Sequence, residues 1–166
     1  MAVLVLGALG AGFGLGSIGK TTALTGPAAA RAAAATWTKA PLDRTIKACD
    51  GGDATACHGL GQLYQYGDKV GRDEKKAAEL FGRSCDNKNV VACAALAAVL
   101  VGGEGVPRDE ARAVQLYQRA CDEGDGVSCA DTADLYEAGK GVPKDAARAL
   151  LFRQQACKAG VSELCK

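Results

Sequence analysis

The sequence predicts an all-α protein: an α-solenoid of antiparallel helix pairs, built from 36-residue repeats with one disulfide per repeat. Three observations carry that reading. Eight cysteines stand at Cys49, Cys57, Cys85, Cys93, Cys121, Cys129, Cys157 and Cys165, in four pairs of constant internal spacing and constant period. The segment Gly67-Asp68-Lys69-Val70-Gly71-Arg72-Asp73 returns as Gly103-Glu104-Gly105-Val106-Pro107-Arg108-Asp109, and again as Gly139-Lys140-Gly141-Val142-Pro143-Lys144-Asp145. Ala77, Ala113 and Ala149 share one column of the repeat, and Leu80, Leu116 and Phe152 share another. Self-similarity at such a period marks stacked supersecondary units that bury one continuous core together.

Each repeat holds two helices. The first is expected roughly over Asp53 to Tyr66, where Ala56, Leu60, Leu63 and Tyr64 recur at helical spacing. The second is expected roughly over Asp73 to Cys85, with Ala77, Leu80, Phe81 and Ser84 on one side. Asp53, Asn89 and Asp125 stand where the first helices need N-caps, and Asp73, Asp109 and Asp145 where the second ones do. Their short side-chain oxygens accept from backbone amides that have no partner inside the helix. Pro107 and Pro143 lie two residues ahead of such caps, outside any helix. Gly52, Gly124 and Gly160 fall just past helix ends, where a left-handed residue is favoured. Lys88 holds that place in one repeat, which predicts a different turn there. The repeat domain is expected over residues 42–166, divided at about 42–77, 78–113, 114–149 and a partial 150–166.

These residues resemble the Sel-1-like repeat, a relative of the tetratricopeptide repeat. The likeness rests on Cys121-Asp122-Glu123-Gly124, Leu135-Tyr136, Gly139 to Asp145 and Ala156-Cys157, and it covers about residues 42 to 166. The added cysteine pairs resemble the cysteine-rich Hcp group of bacterial secreted proteins. That resemblance implies an interaction scaffold or, as its alternative, a protein that binds or hydrolyses β-lactams.

Each cysteine pair joins the end of a second helix to the first turns of the next first helix. That hairpin brings residues so spaced within disulfide reach. The chain-entropy model assigns about 2–3 kcal/mol to a bridge closing so short a loop. A core of Ala and Gly with few aromatics makes such staples useful. Structural zinc favours closer cysteine pairs and c-type haem needs Cys-x-x-Cys-His; neither pattern occurs, and there is one histidine. Reduced thiols in a cytosolic protein are the remaining alternative. No cofactor and no metal ligand is expected.

Composition changes near Pro41. Residues 1 to 41 hold no acid and three bases, Lys20, Arg31 and Lys39. Residues 1–19 form an apolar run that reads as a signal peptide or a membrane anchor, and 20–41 as an Ala-rich tether. Export to the periplasm or beyond accords with disulfides, and any membrane contact is expected only through this segment. All 19 acids lie in the repeat region against a similar number of bases, so no electrostatic footprint for nucleic acid is present.

Several catalytic patterns lack their context. Gly14-Leu15-Gly16-Ser17-Ile18-Gly19-Lys20-Thr21 matches the P-loop and the dinucleotide fingerprint, but both need a strand, a helix and a parallel sheet. Ser17 to Lys20 satisfies Ser-x-x-Lys without the companion motifs of penicillin-recognising enzymes. Ser84, Ser128 and Ser162 have no base nearby in sequence, and His58 shares its column with Ala94 and Ala130, which points to a solvent-facing or partner-contacting side chain. No catalytic residue is assigned.

The first helices of such arrays usually line the concave, ligand-binding face. The run from Val90 to Val101 has no charged or polar side chain beyond its cysteine. An apolar strip at Ala94, Ala95, Ala98 and Val101 is therefore expected, bordered by Gln62 and Gln65 on one side and by Asp131, Asp134 and Glu137 on the other. It suits a peptide or helix with apolar anchors and a basic end. The amino-terminal segment or a second copy covering the strip, giving a homodimer, is the alternative.

Overall fold

The computed structural model describes residues 39–165, which lie in the compact unit Thr38–Lys166. The apolar run at 1–19, most of the tether, and the P-loop-like and Ser-x-x-Lys patterns fall outside the described residues. Seven α-helices follow in order: α1 (Lys39–Asp50), α2 (Ala54–Tyr66), α3 (Glu74–Asp86), α4 (Val90–Gly102), α5 (Glu110–Asp122), α6 (Gly126–Ala138) and α7 (Ala146–Lys158). A short 3₁₀ turn, Ser162–Leu164, ends the described chain. Each helix packs on the next one in sequence, as expected of an α-solenoid. α1 begins inside the segment expected as tether and occupies the place of a second helix ahead of the first full repeat. No described helix is long and apolar enough to cross a membrane.

All six predicted N-caps are in place. The side chains of Asp53, Asp73, Asn89, Asp109, Asp125 and Asp145 each accept from the amide three residues on, at 2.9–3.2 Å. Each cap is worth about 1 kcal/mol.

The constant cysteine spacing has a backbone cause. At the end of α1, Gly52 N–H donates to Cys49 C=O at 2.9 Å and Asp53 N–H to Ala48 C=O at 3.0 Å. This is the Schellman closure, with Gly52 left-handed at φ 91°. Asp53, which completes that closure, is also the N-cap of α2, so the two helices share a boundary residue. The turn is short, and it sets the last turn of one helix beside the first turn of the next. Cα atoms of the four pairs lie 4.6–5.1 Å apart, and all four disulfides are formed.

Lys88 departs from expectation. Its turn is not different: φ is 66°, Lys88 N–H donates to Cys85 C=O at 3.0 Å, and Asn89 N–H to Ser84 C=O at 3.1 Å. The two hydrogen bonds and the Cys85–Cys93 bridge over-determine the backbone, so lysine is held where glycine stands elsewhere.

Inside each repeat the connection uses two left-handed residues, at Gly67, Gly103 and Gly139 and then at Lys69, Gly105 and Gly141. The second position governs the stack. A Cβ on Gly105 would lie 2.3 Å from Glu74 Cβ, and one on Gly141 would lie 2.3 Å from the Glu110 carbonyl carbon. Only glycine lets these loops seat against the start of the preceding second helix.

The core runs along the array. Ala77, Ala113 and Ala149 are buried in it together with Phe81, Leu100, Val114 and Tyr136. Leu150 lies in the column of Ala78 and Val114 and is exposed where those two are buried.

Candidate partner-binding surface

The predicted strip lies on α4, whose sequence offers no polar face to separate inside from outside. Burial separates it instead. Ala98 is exposed, while Ala94, Ala95 and Val101 are partly buried and pack against the main core cluster. Three of the strip's four residues are therefore already engaged by the fold. Val91, in the first turn of the same helix, is 61 % exposed and was not foreseen. Gln62 is exposed and Gln65 half-buried on α2.

The acidic border meets the strip at one cleft. Val101, Asp131 and Asp134 line a recess of about 270 Å³ together with Tyr117, Leu135 and Lys140. Tyr117 reaches it from a second helix, which face-by-face reading of the first helices does not anticipate. Burial and then the charge of Asp134 hold the Asp131 carboxyl above its ordinary range, while the Tyr117 hydroxyl opposes this by hydrogen bonding to it. Burial, with Asp131 beside it, pushes the Tyr117 phenol up as well. Asp134 and Glu137 are both ion-paired by Arg153 of α7, the former at 3.2 Å. The border is thus less acidic than the sequence implies, with Asp131 the carboxylate that Arg153 leaves unpaired.

The other polar residues singled out in sequence have structural surroundings. Ser84 is buried and donates to Ala54 C=O at 2.6 Å. Ser128 is buried and bonds the Asp125 cap. His58 is not a simple solvent-facing residue: it is half-buried, its ring 5.7 Å from that of Phe81, and burial lowers its pKa. Among the described residues no cluster of potential metal ligands is found.

Capped helix pairs, a Gly-turn-Pro connection and a bridge at every repeat junction define a disulfide-stapled helical-repeat scaffold. The Sel1 repeat is matched three times in succession, at residues 54–89, 90–125 and 126–161, and the chain belongs to the Sel1 repeat family. Its fold is similar to that of a protective antigen of uropathogenic Escherichia coli strains displaying an SLR fold (28 % identity, TM-score 0.69, covering 72 % of this chain and 26 % of that one). It is similar to a Sel1 repeat protein from Oxalobacter formigenes (29 %, TM-score 0.67, 72 % and 49 %). It also shares the fold of cysteine-rich protein B of Helicobacter pylori (24 %, TM-score 0.59, 76 % and 91 %). The chain thus spans between a quarter and a half of the first two. No curated protein matches it. Sel1 repeats build scaffolds for protein interaction, and the four bridges fit an oxidising setting.

Proposed function

We propose that this chain is an exported interaction scaffold that holds a peptide or protein segment on the side of α4 carrying Ala98 and Val101. The observation that supports this is the cleft where Val101, Tyr117 and Leu135 provide an apolar wall and Asp131 a half-buried carboxylate. A basic side chain flanked by apolar ones satisfies both, which accords with the border of carboxylates on α6. The β-lactam alternative has no comparable support: Ser84 and Ser128 are buried and engaged in capping or main-chain bonds.

Two experiments test the reading. Partner capture from the cell envelope is compared for the wild type and Ala98→Glu, with helicity and melting of both recorded. Loss of capture with an unchanged melt supports the site; retained capture overturns it. Sedimentation distinguishes a second copy as occupant, because Ala98→Glu would then convert a dimer to a monomer. Export is tested by the mass of the chain from its host, which should gain eight alkyl groups only after reduction, one for each cysteine.

A further inference from the structure

One repeat junction is built differently from the next, and the difference opens a groove. In the later junction Gln118 Nε2 donates to the Tyr136 hydroxyl at 2.9 Å, and Arg148 donates to the same oxygen at 3.2 Å. The recess they line, with Leu151 and Phe152, measures about 270 Å³. The residues of the same columns one repeat earlier are Gly82, Leu100 and Arg112. Gly82 has no side chain to donate and Leu100 has no hydroxyl to accept, so the bridge is absent. The recess there is about 720 Å³, with Leu96, Leu100, Val106 and Pro107 among its apolar lining.

Glycine is not needed at position 82 for packing. A Cβ there would meet only Leu96 Cδ2, at 3.9 Å, an ordinary contact, and the residue is absent from those with positive φ. What the missing side chain does is leave space over Leu96 and Leu100, which are themselves only 5 % and 6 % exposed.

Both walls carry charges of both signs: α3 brings Glu79, Arg83 and Asp86, and the start of α5 brings Arg108, Asp109 and Arg112. The Asp109 carboxylate is engaged as the cap of α5, accepting from Arg112 N–H at 2.9 Å. Arg83 is tied to Asp50 and the Cys49 carbonyl, and Arg108 to Glu110. Arg112 is the exception in its column. Lys76 lies 4.3 Å over the Tyr64 ring and Arg148 lies 5.6 Å over that of Tyr136, but Arg112 has Leu100 where those rings stand. Its guanidinium makes no hydrogen bond or ion pair among the described residues, leaving a planar fork suited to a carboxylate.

We propose that the groove between α3 and α5 takes a peptide segment in which one apolar side chain stands between an acidic and a basic residue. The apolar side chain enters the space left at Gly82 and rests on Leu96 and Leu100. The carboxylate pairs with Arg112, and the base faces Glu79 and Asp86, so the segment needs one charge of each sign beside its apolar residue. The volume accommodates an apolar side chain with its flanking groups. At 100° per residue, Leu96 and Leu100 lie on the side of α4 away from Ala98 and Val101, so this site stands apart from the surface proposed above.

The test uses the full oxidised chain on an immobilised peptide array. The array carries each apolar residue between Asp or Glu and Lys or Arg, in both orders, alongside control peptides with two acids, two bases or two glutamines in the flanking places. The wild type should retain the mixed-charge peptides at least tenfold better than the controls, at physiological salt. Gly82→Gln, which installs the residue of the later junction, should reduce retention to the level of the controls. Arg112→Gln should remove the dependence on the acid while leaving a weak preference for the apolar anchor. Ala98→Glu should change nothing here, which separates failure of this site from failure of the surface on the other side of α4. Absence of any preference for mixed charge, or unchanged retention by Gly82→Gln with its helicity intact, overturns the proposal.

Discussion

Gly61 and Phe81 exclude a side chain from each other's space: a Cβ on Gly61 would lie 2.6 Å from Phe81 Cε1 and 2.7 Å from Cδ1. Phe81 is fully buried, so its ring has nowhere to retreat. The same columns hold Ala97 with Tyr117 and Ala133 with Arg153, whose second-helix partners are less deeply enclosed. Glycine on α2 is the condition for the largest wholly buried side chain of the described array.

Gly61→Ala should therefore destabilise the protein by about 1–3 kcal/mol, the usual result of overpacking, despite alanine's better helix propensity. Thermal unfolding followed by circular dichroism reads this directly. Combining it with Phe81→Leu should restore part of the loss, because leucine vacates the ring edge. A Gly61→Ala melt equal to the wild type would mean that the ring shifts freely and that the close approach carries no constraint.

Replacing both Cys85 and Cys93 by alanine should lower stability by about 2–3 kcal/mol, the chain-entropy value for so short a loop. The junction's hydrogen bonds from Lys88 to Cys85 and from Asn89 to Ser84 remain, so the fold should persist with a lower melting temperature. Denaturant titration under oxidising conditions checks it. A loss well above that range would show that Cys85 and Cys93, both buried, act chiefly as packed core residues.

The helices, their caps and the cysteine pairing were legible in the sequence because each is a local matter: a cap oxygen and its amide lie three residues apart, and the Schellman closure fits within one turn. The repeat multiplies those local signals until phase is unmistakable. Lys88 was misread because residue preference was taken for backbone geometry, whereas two flanking hydrogen bonds impose the left-handed turn on whatever residue stands there. The strip was only half legible. Periodicity places Ala94, Ala98 and Val101 on one face, but it does not say how far neighbouring helices lean over that face. It is equally silent on long side chains that cross between helices, so Arg153 pairing with Asp134 and Tyr117 meeting Asp131 had no sequence signal.

The half-buried imidazole of His58 should give the protein a specific acid response. Burial depresses its folded pKa below the ordinary value of 6.5. A histidine held neutral in the fold contributes stability that is fully present above the unfolded pKa and is lost as pH falls through the folded one. The melting temperature of the wild type should therefore drop, between pH 7.5 and 5, by more than that of His58→Ala. Alanine is the residue of this column in the other repeats, so the variant keeps the fold. Parallel pH profiles for the two proteins would exclude His58 as the source of the acid response.

Lys88→Gly converts the one junction that lacks glycine to the pattern of Gly52, Gly124 and Gly160. Relief of a left-handed backbone at a non-glycine residue is worth roughly 1–2 kcal/mol, and the greater freedom of glycine in the unfolded chain returns about 0.4–1 kcal/mol of it. The net should be a gain below about 1.5 kcal/mol. Chemical denaturation should show a higher midpoint with an unchanged slope. A loss instead would mean that the lysine side chain contributes more to the junction than its backbone strain costs.

Gly82 argues in the opposite direction to Gly61. It sits mid-helix in α3 with ordinary contacts only, so Gly82→Ala should stabilise the chain by about 0.5–1 kcal/mol through helix propensity. Two glycines close together in sequence therefore differ in sign under the same substitution: one is demanded by a buried ring, and the other is demanded by nothing in the folded chain. Side-by-side melts of Gly61→Ala and Gly82→Ala make the comparison internal, with the same chemistry changed on adjacent helices. If Gly82→Ala also destabilises, the contact with Leu96 is tighter than 3.9 Å implies, and the open groove is a consequence of packing. If it stabilises, the chain carries a glycine that lowers its own stability at the place where space is left over Leu96 and Leu100.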